Sequence, residues 1–184
     1  METRNEAQIK SDVGRLEVGK EGLACKVYSR YSFQGFSFNG RNFSLSRILS
    51  SSFASVSLDN AQLVKTEFAD CAFKDVTFKD ASLFDTSFHR CIFHDCDFSR
   101  AIAGITPPIQ NLQVALGFTG ASFVDCGFTN VSFASAHLSG TDFAGSKFNK
   151  VSFLWAMLDG SVFTKSLVEG VEFSDAQLAG IDYV

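Results

Sequence analysis

Proline is nearly absent from this chain: 184 residues hold two, Pro107 and Pro108, side by side. That scarcity excludes a collagen-like or proline-rich composition. No run of about 18 apolar residues occurs, so no membrane-spanning helix is predicted. The opening METRNEAQIK also lacks the apolar stretch of a secretory signal, and the chain is expected to be cytoplasmic where it is made. Positive charge is not in excess either, with 16 Lys and Arg against 20 Asp and Glu. A surface that coats nucleic acid needs a basic stripe, so direct nucleic-acid binding is not expected. The length is that of one domain, and a hydrophobic share of 46% is that of a packed protein rather than a disordered tail.

What the chain has in abundance is phenylalanine, 21 residues, and they are spaced by five. From Phe33 the register runs Phe38, Phe43, Ile48, Phe53, Leu58, Leu63, Phe68, Phe73, Phe78, Leu83, Phe88, Phe93 and Phe98. It resumes at Phe118 and continues through Phe123, Phe128, Phe133, Leu138, Phe143, Phe148, Phe153, Leu158, Phe163, Val168, Phe173 and Leu178 to Tyr183. Of these 28 centres 19 are Phe. Two residues before most centres stands a small or β-branched side chain, as at Val76, Ala81, Thr86 and Cys91. Neither a helix of period 3.6 nor a strand of period 2 produces a strict five. A chain that turns a corner every five residues does, burying a large centre and a small flanking group while its corners stay wet.

This pattern resembles the pentapeptide-repeat family over residues 31–184. The resemblance implies an all-β fold, a right-handed quadrilateral parallel β-helix (a solenoid) with four pentapeptides per coil. The sequence agrees with four sides, because positions four pentapeptides apart are more alike than positions one pentapeptide apart. Residues 51–70 read SSFASVSLDNAQLVKTEFAD and residues 71–90 read CAFKDVTFKDASLFDTSFHR, each side keeping its own rule. Stacked interior rows have to fill space evenly, which explains the constancy. Phe53, Phe73, Phe93, Phe128, Phe148, Phe133, Phe153 and Phe173 are therefore assigned to the core.

The same columns locate one insertion. With residues 101–115 removed, Val56 and Val76 align with Val131 and Val151, and Ala61 and Ala81 with Ala136 and Ala156. The expectation is about seven coils with a loop, AIAGITPPIQNLQVA, projecting from one corner. Its prolines cannot donate to a central sheet row. Residues 1–30 are read as a cap segment, with a short helix suggested by the spacing of Ile9, Val13 and Leu16. The last coil exposes core side chains and strand edges, and an end-to-end homodimer through this C-terminal coil is predicted.

Candidate sites are few. Cys71, Cys91 and Cys126 share an inward column with Ser51, Ser146 and Ser166, and Cys96 holds the equivalent place on the next side. They read as reduced structural fillers, and Cys25 lies outside the repeats. His89, His94 and Asp95 are close in sequence, but successive quintets point around a square, so neither a metal nor any other cofactor is expected. No nucleophile–base pair or phosphate loop stands out, and no enzyme activity is predicted. Two apolar features on the outside are different. Leu154, Trp155 and Met157 occupy successive outward positions, either as a partner contact or with the Trp lying flat on its own coil. The loop carries Ile105, Pro107, Pro108, Ile109 and Leu112, and it either packs on a face or binds something.

The leading expectation is a non-catalytic protein–protein interaction scaffold whose partner is another protein of unknown identity. The family resemblance implies an alternative. Some members mimic duplex DNA, occupy the DNA site of type II topoisomerases and protect them from quinolones or toxins. Residues 31–184 hold 15 Asp and Glu against 10 Lys and Arg, with Lys65, Lys74, Lys79 and Arg90 interrupting the acidic rows, whereas a DNA surrogate calls for uniform negative charge. The resemblance implies a third class as well, a secreted bacterial effector.

Overall fold

The computed structural model describes residues 23–104 and 120–182. They form a parallel β-solenoid whose four walls are stacks of very short strands. The first wall contains β1 (Val27–Ser29), β3 (Arg47–Leu49), β5 (Glu67–Ala69), β7 (Ser87–His89) and β9 (Ser122–Val124). The second contains β2 (Ser32–Gln34), β4 (Ser52–Ala54), β6 (Ala72–Lys74), β8 (Ile92–His94), β10 (Gly127–Ser132), β11 (Lys147–Ser152) and β12 (Leu167–Glu169). Rows of single bridges make the other two walls. The third runs through Ser37, Ser57, Thr77, Asp97, Ser132, Ser152 and Glu172, and the fourth through Asn42, Gln62, Ser82, Ile102, His137, Met157 and Gln177. The seven-stranded second wall sets the count: seven levels, about six turns from first to last.

Why the chain turns every five residues is visible in the backbone. The residue two places after each centre takes a left-handed conformation, as at Asp70 (φ 55°), Asp75 (53°), Asn130 (54°) and Gly140 (70°). Asn, Asp and Gly tolerate that region best, which accounts for their frequency at the corners. At the position two before each centre, the small side chains have a second task besides filling space. Many donate to the carbonyl of a residue one level down and one wall back. Ser46 Oγ reaches Leu23 O at 2.9 Å, Thr66 Oγ1 reaches Phe43 O at 2.9 Å and Thr86 Oγ1 reaches Leu63 O at 2.7 Å. The thiols do likewise over 3.3–3.6 Å, Cys71 to Ile48 O, Cys91 to Phe68 O, Cys126 to Phe88 O and Cys96 to Phe73 O. Cys, Ser and Thr interchange in these columns because each is small and each donates.

The interior is phenyl. Rings on one wall lie parallel, Phe73 on Phe93 at 4.8 Å and Phe78 on Phe98 at 4.4 Å, while rings on adjacent walls meet edge to face, as Phe88 and Phe93 do at 5.4 Å. Both arrangements suit the aromatic quadrupole. Phe53, Phe73, Phe93, Phe128, Phe148, Phe133 and Phe153 are buried, and Phe173 near the far end is partly so.

Three expected boundaries move. The register step is constant at one coil except across the insertion, where Phe93 pairs with Phe128 and Asp97 with Ser132. The insertion has the expected length, but it is not at 101–115. Ile102 bridges Ser82 and His137, and Ala101 and Ala103 are fully buried, so residues 101–104 are still coil. The chain rejoins at Ala121, whose N–H donates to Ala103 O at 2.6 Å. The flanking glycines show how tight this junction is. A Cβ at Gly104 would collide with the backbone of Ser139, and one at Gly120 with that of Gly140. The rest of the expected loop, 105–115, lies outside the described residues. At the other end, the coil starts before residue 31. Leu23 and Tyr28 are core residues, Tyr28 stands at a centre, and its hydroxyl donates to Leu23 O at 3.1 Å. Cys25 sits at a left-handed corner of this first level (φ 59°) and so belongs to the repeats. The expected helix over Ile9, Val13 and Leu16 lies outside the described residues.

Candidate interaction corner

Leu154, Trp155 and Met157 fall where the third wall turns into the fourth. Trp155 is the corner residue, in a column with Gly40, Asn60, Asp80, Arg100, Ser135 and Asp175, and its φ is 56°. A bulky side chain in that region is costly compared with glycine. Trp155 is 60% exposed, and its indole N–H donates to Asp175 Oδ2, one level up, at 3.1 Å. The tryptophan therefore lies along its own corner and at the same time presents a large apolar face. Leu154 and Met157 are half-buried beside it on the two walls, and Met157 is bridged between His137 and Gln177. Ile105, Pro107, Pro108, Ile109 and Leu112 lie outside the described residues.

Sequence reasoning misses other outward apolar side chains. Ile92 is 63% exposed, and Val27, Leu45 and Leu167 are similarly open. The register contains the signal that finds them. Val27, Ile92 and Leu167 stand just before a centre, where alternation across a strand points the side chain outward, and Leu45 stands at a corner. Near the last described level the centres themselves emerge, Val168 at 52% and Leu178 at 41% exposed.

The polar surface is organised as ladders between levels. Arg90 Nε meets Asp70 at 2.7 Å, Arg100 meets Asp80 at 2.7 Å and Arg47 meets Glu67 at 2.7 Å, each pair joining neighbouring levels of one column. The guanidinium hydrogen bonds hold the Asp70, Asp80 and Glu67 carboxyls below the usual carboxylate range. Asp97 is also held low. Burial pushes it up, but the hydroxyl and amide of Ser99 together with Lys79 outweigh that. His94 Nδ1 meets Asp95 at 2.6 Å, while His89 is on the first wall and His94 on the second. Among the described residues no three His, Cys, Asp or Glu side chains gather as metal ligands would. The thiols stay inward. Burial raises Cys96 to about 11, and Cys91 rises to about 12 through its Cys126 neighbour and burial, with Cys71 opposing.

Among the described residues two buried polar atoms find no hydrogen-bond partner, His137 Nδ1 and Thr141 Oγ1. Thr141 belongs to a donor column, and the carbonyl its column would reach is that of Ala103, which accepts from Ala121 N–H at 2.6 Å instead. An interior apolar cavity is lined by Tyr28, Phe33, Phe43, Ile48, Phe53, Leu58, Leu63 and Phe68. Ile48 interrupts a ring column there, so it is a packing gap and carries no polar group for a reaction.

The comparison with curated proteins finds no match. Among solved structures the chain is similar to a trypsin-treated variant of QnrB1, a plasmid-mediated fluoroquinolone resistance protein, at 22% identity over 84% of this chain and 73% of that one, with a TM-score of 0.47. It is also similar to HetL, a pentapeptide-repeat protein involved in heterocyst differentiation regulation in the cyanobacterium Nostoc, at 10% identity over 97% and 94% of the two chains, with a TM-score of 0.40. The family model of pentapeptide repeats matches residues 66–102 and 126–164 in eight copies. With a corner at every fifth residue and a coil closed by every fourth corner, residues 66–102 and 126–164 are pentapeptide repeats.

Proposed function

We propose that this protein is a non-catalytic binding scaffold, a stiff solenoid that captures another protein through the corner at Trp155. The observation that carries the reading is the exposed indole fixed by Asp175 on a rigid wall. A preorganised aromatic loses little freedom on binding, and tryptophan is enriched among residues that dominate interface energies. Leu154 and Met157 flank it. The apolar residues of the insertion, Ile105, Pro107, Pro108, Ile109 and Leu112, join the reading on sequence grounds. Trp155→Ala and excision of residues 105–119 should each abolish partner capture from a native lysate while leaving the far-ultraviolet spectrum unchanged. Capture that survives both changes contradicts the scaffold.

A second copy is one partner this reading includes. Leu167, Val168 and Leu178 are exposed near the last described level, and β12 is the edge strand of its wall. Sedimentation at micromolar concentration should give twice the chain mass, and a monomer would remove this part. Topoisomerase protection by DNA mimicry is less well supported, because Asp70, Asp80, Asp85 and Asp97 are paired with Arg90, Arg100, Lys65 and Lys79. Their rows are close to neutral. A supercoiling assay with and without a quinolone tests that reading.

A further inference from the structure

Charge is spread unevenly along this solenoid. Residues 23–104 carry nine Lys and Arg against eight Asp and Glu. Five ion pairs tie this half together: Arg47–Glu67, Lys65–Asp85, Lys79–Asp97, Arg90–Asp70 and Arg100–Asp80. Residues 120–182 carry seven carboxylates against three lysines. The register shows where those lysines stand. Lys147 is on the second wall in β11, while Lys150 and Lys165 are the corners that bound that wall. The third wall, the fourth wall and the corner between them, made here by residues 131–140, 151–160 and 171–180, contain Asp159, Glu172 and Asp175 and no Lys or Arg. The partners these three carboxylates find are neutral: Ala179 N for Asp159, Ser152 Oγ for Glu172 and Trp155 Nε1 for Asp175. Asp175 touches the exposed indole directly, and Glu172 and Asp159 belong to the two walls that meet at its corner.

We propose that the Trp155 corner receives a segment of a partner protein that presents a lysine or arginine side chain next to an apolar one. The inference rests on the corner's role as an interaction site and adds the chemistry of what it takes. A cation over an indole face is attracted by the ring quadrupole, and the attraction grows as water is excluded. Carboxylates that pair with no cation among the described residues add a negative field that attracts that charge and repels an acidic partner. The hydrogen bond from Nε1 to Asp175 uses the ring's polar edge and leaves its face open. Leu154 and Met157, half-buried on the flanking walls, provide the apolar floor, and the thioether adapts to the shape laid on it.

The test uses the chain's sole tryptophan, whose emission reports this corner directly. The probe is a synthetic peptide of about 12 residues alternating Leu and Arg, with a counterpart bearing Glu for Arg, titrated at about 50 mM and about 300 mM salt. The Arg peptide should change the emission saturably, and more weakly at the higher salt. The Glu peptide should leave it unchanged. The double variant Asp159→Asn, Glu172→Gln, which leaves the Asp175 bond intact, should bind the Arg peptide on the order of tenfold less tightly. Equal binding of both peptides, no response to either, or unchanged affinity in the double variant overturns the proposal. In native lysate the two readings separate: a partner lost on Trp155→Ala but kept by the double variant upholds the corner and removes the cationic partner. A partner kept by both variants removes the corner itself.

Discussion

Replacing Phe93 by alanine is the sharpest test of what holds the solenoid together. Phe93 is fully buried in the middle of its column, stacked on Phe73 at 4.8 Å and on Phe128 at 5.1 Å. It also meets Phe88 at 5.4 Å, Phe98 at 5.4 Å and Phe123 at 6.1 Å edge-on. Truncating a core phenylalanine costs about 3 to 5 kcal/mol, and a site with five ring neighbours that are themselves stacked cannot collapse onto the gap, so about 4 to 5 kcal/mol is expected. Phe173 supplies the control. It is partly buried, with Phe153 stacked at 5.2 Å and Phe163 at 6.4 Å, and it lies near the last described level. With less of its surface buried and fewer ring partners, Phe173→Ala should cost about 2 kcal/mol. Urea unfolding followed by circular dichroism measures both. Because levels contact only their neighbours, the central variant should also broaden the transition. Equal costs at the two positions would refute the reasoning, since stability would then not follow ring stacking.

Other outcomes follow from the columns. Among the five cysteines only exposed Cys25 should be alkylated by iodoacetamide in the native protein near pH 8, and all five after denaturation, as counted by mass spectrometry. Thr86→Val keeps the shape but removes one of two donors to Leu63 O, the other being Thr66 N–H, and should cost about 1 kcal/mol in urea unfolding. Arg100→Ala removes only an exposed pair and should leave the urea midpoint nearly unchanged, with any loss smaller still at high salt. Glu67, Asp70, Asp80 and Asp97 have folded values below their unfolded ones, so their contribution is complete above the unfolded carboxylate pKa of about 4. It is lost as pH falls through the depressed values, and Asp97→Asn should flatten the acid limb of the stability profile.

The centres, the four walls and the length of the insertion were legible in the sequence because a stacked interior forces equivalent residues to recur at the period of the coil. Where the insertion begins was not. Removing 101–115 or 105–119 preserves every column alike, and Phe118 suits a centre better than Ala103 does. The structure nonetheless buries Ala103 and bridges Ile102 to both neighbouring levels, a choice made by backbone fit at Gly104 and Gly120 that no side-chain pattern records. The start of the coil was hidden for a related reason: Leu23 and Tyr28 fill centre positions without being Phe. At the corner site, the outward placement of Leu154, Trp155 and Met157 was readable. The bond from Trp155 to Asp175 and the absence of lysine from those two walls over residues 131–140, 151–160 and 171–180 were not, because both depend on which residues share a column.

Ring-to-ring nuclear Overhauser contacts in phenylalanine-labelled protein test the central claim most directly, that coils stack in register straight across the insertion. Phe98 should show strong contacts to Phe133, whose ring lies 4.9 Å away, and to Phe78 at 4.4 Å. Contacts from Phe98 to Phe118 in place of Phe133 would contradict it.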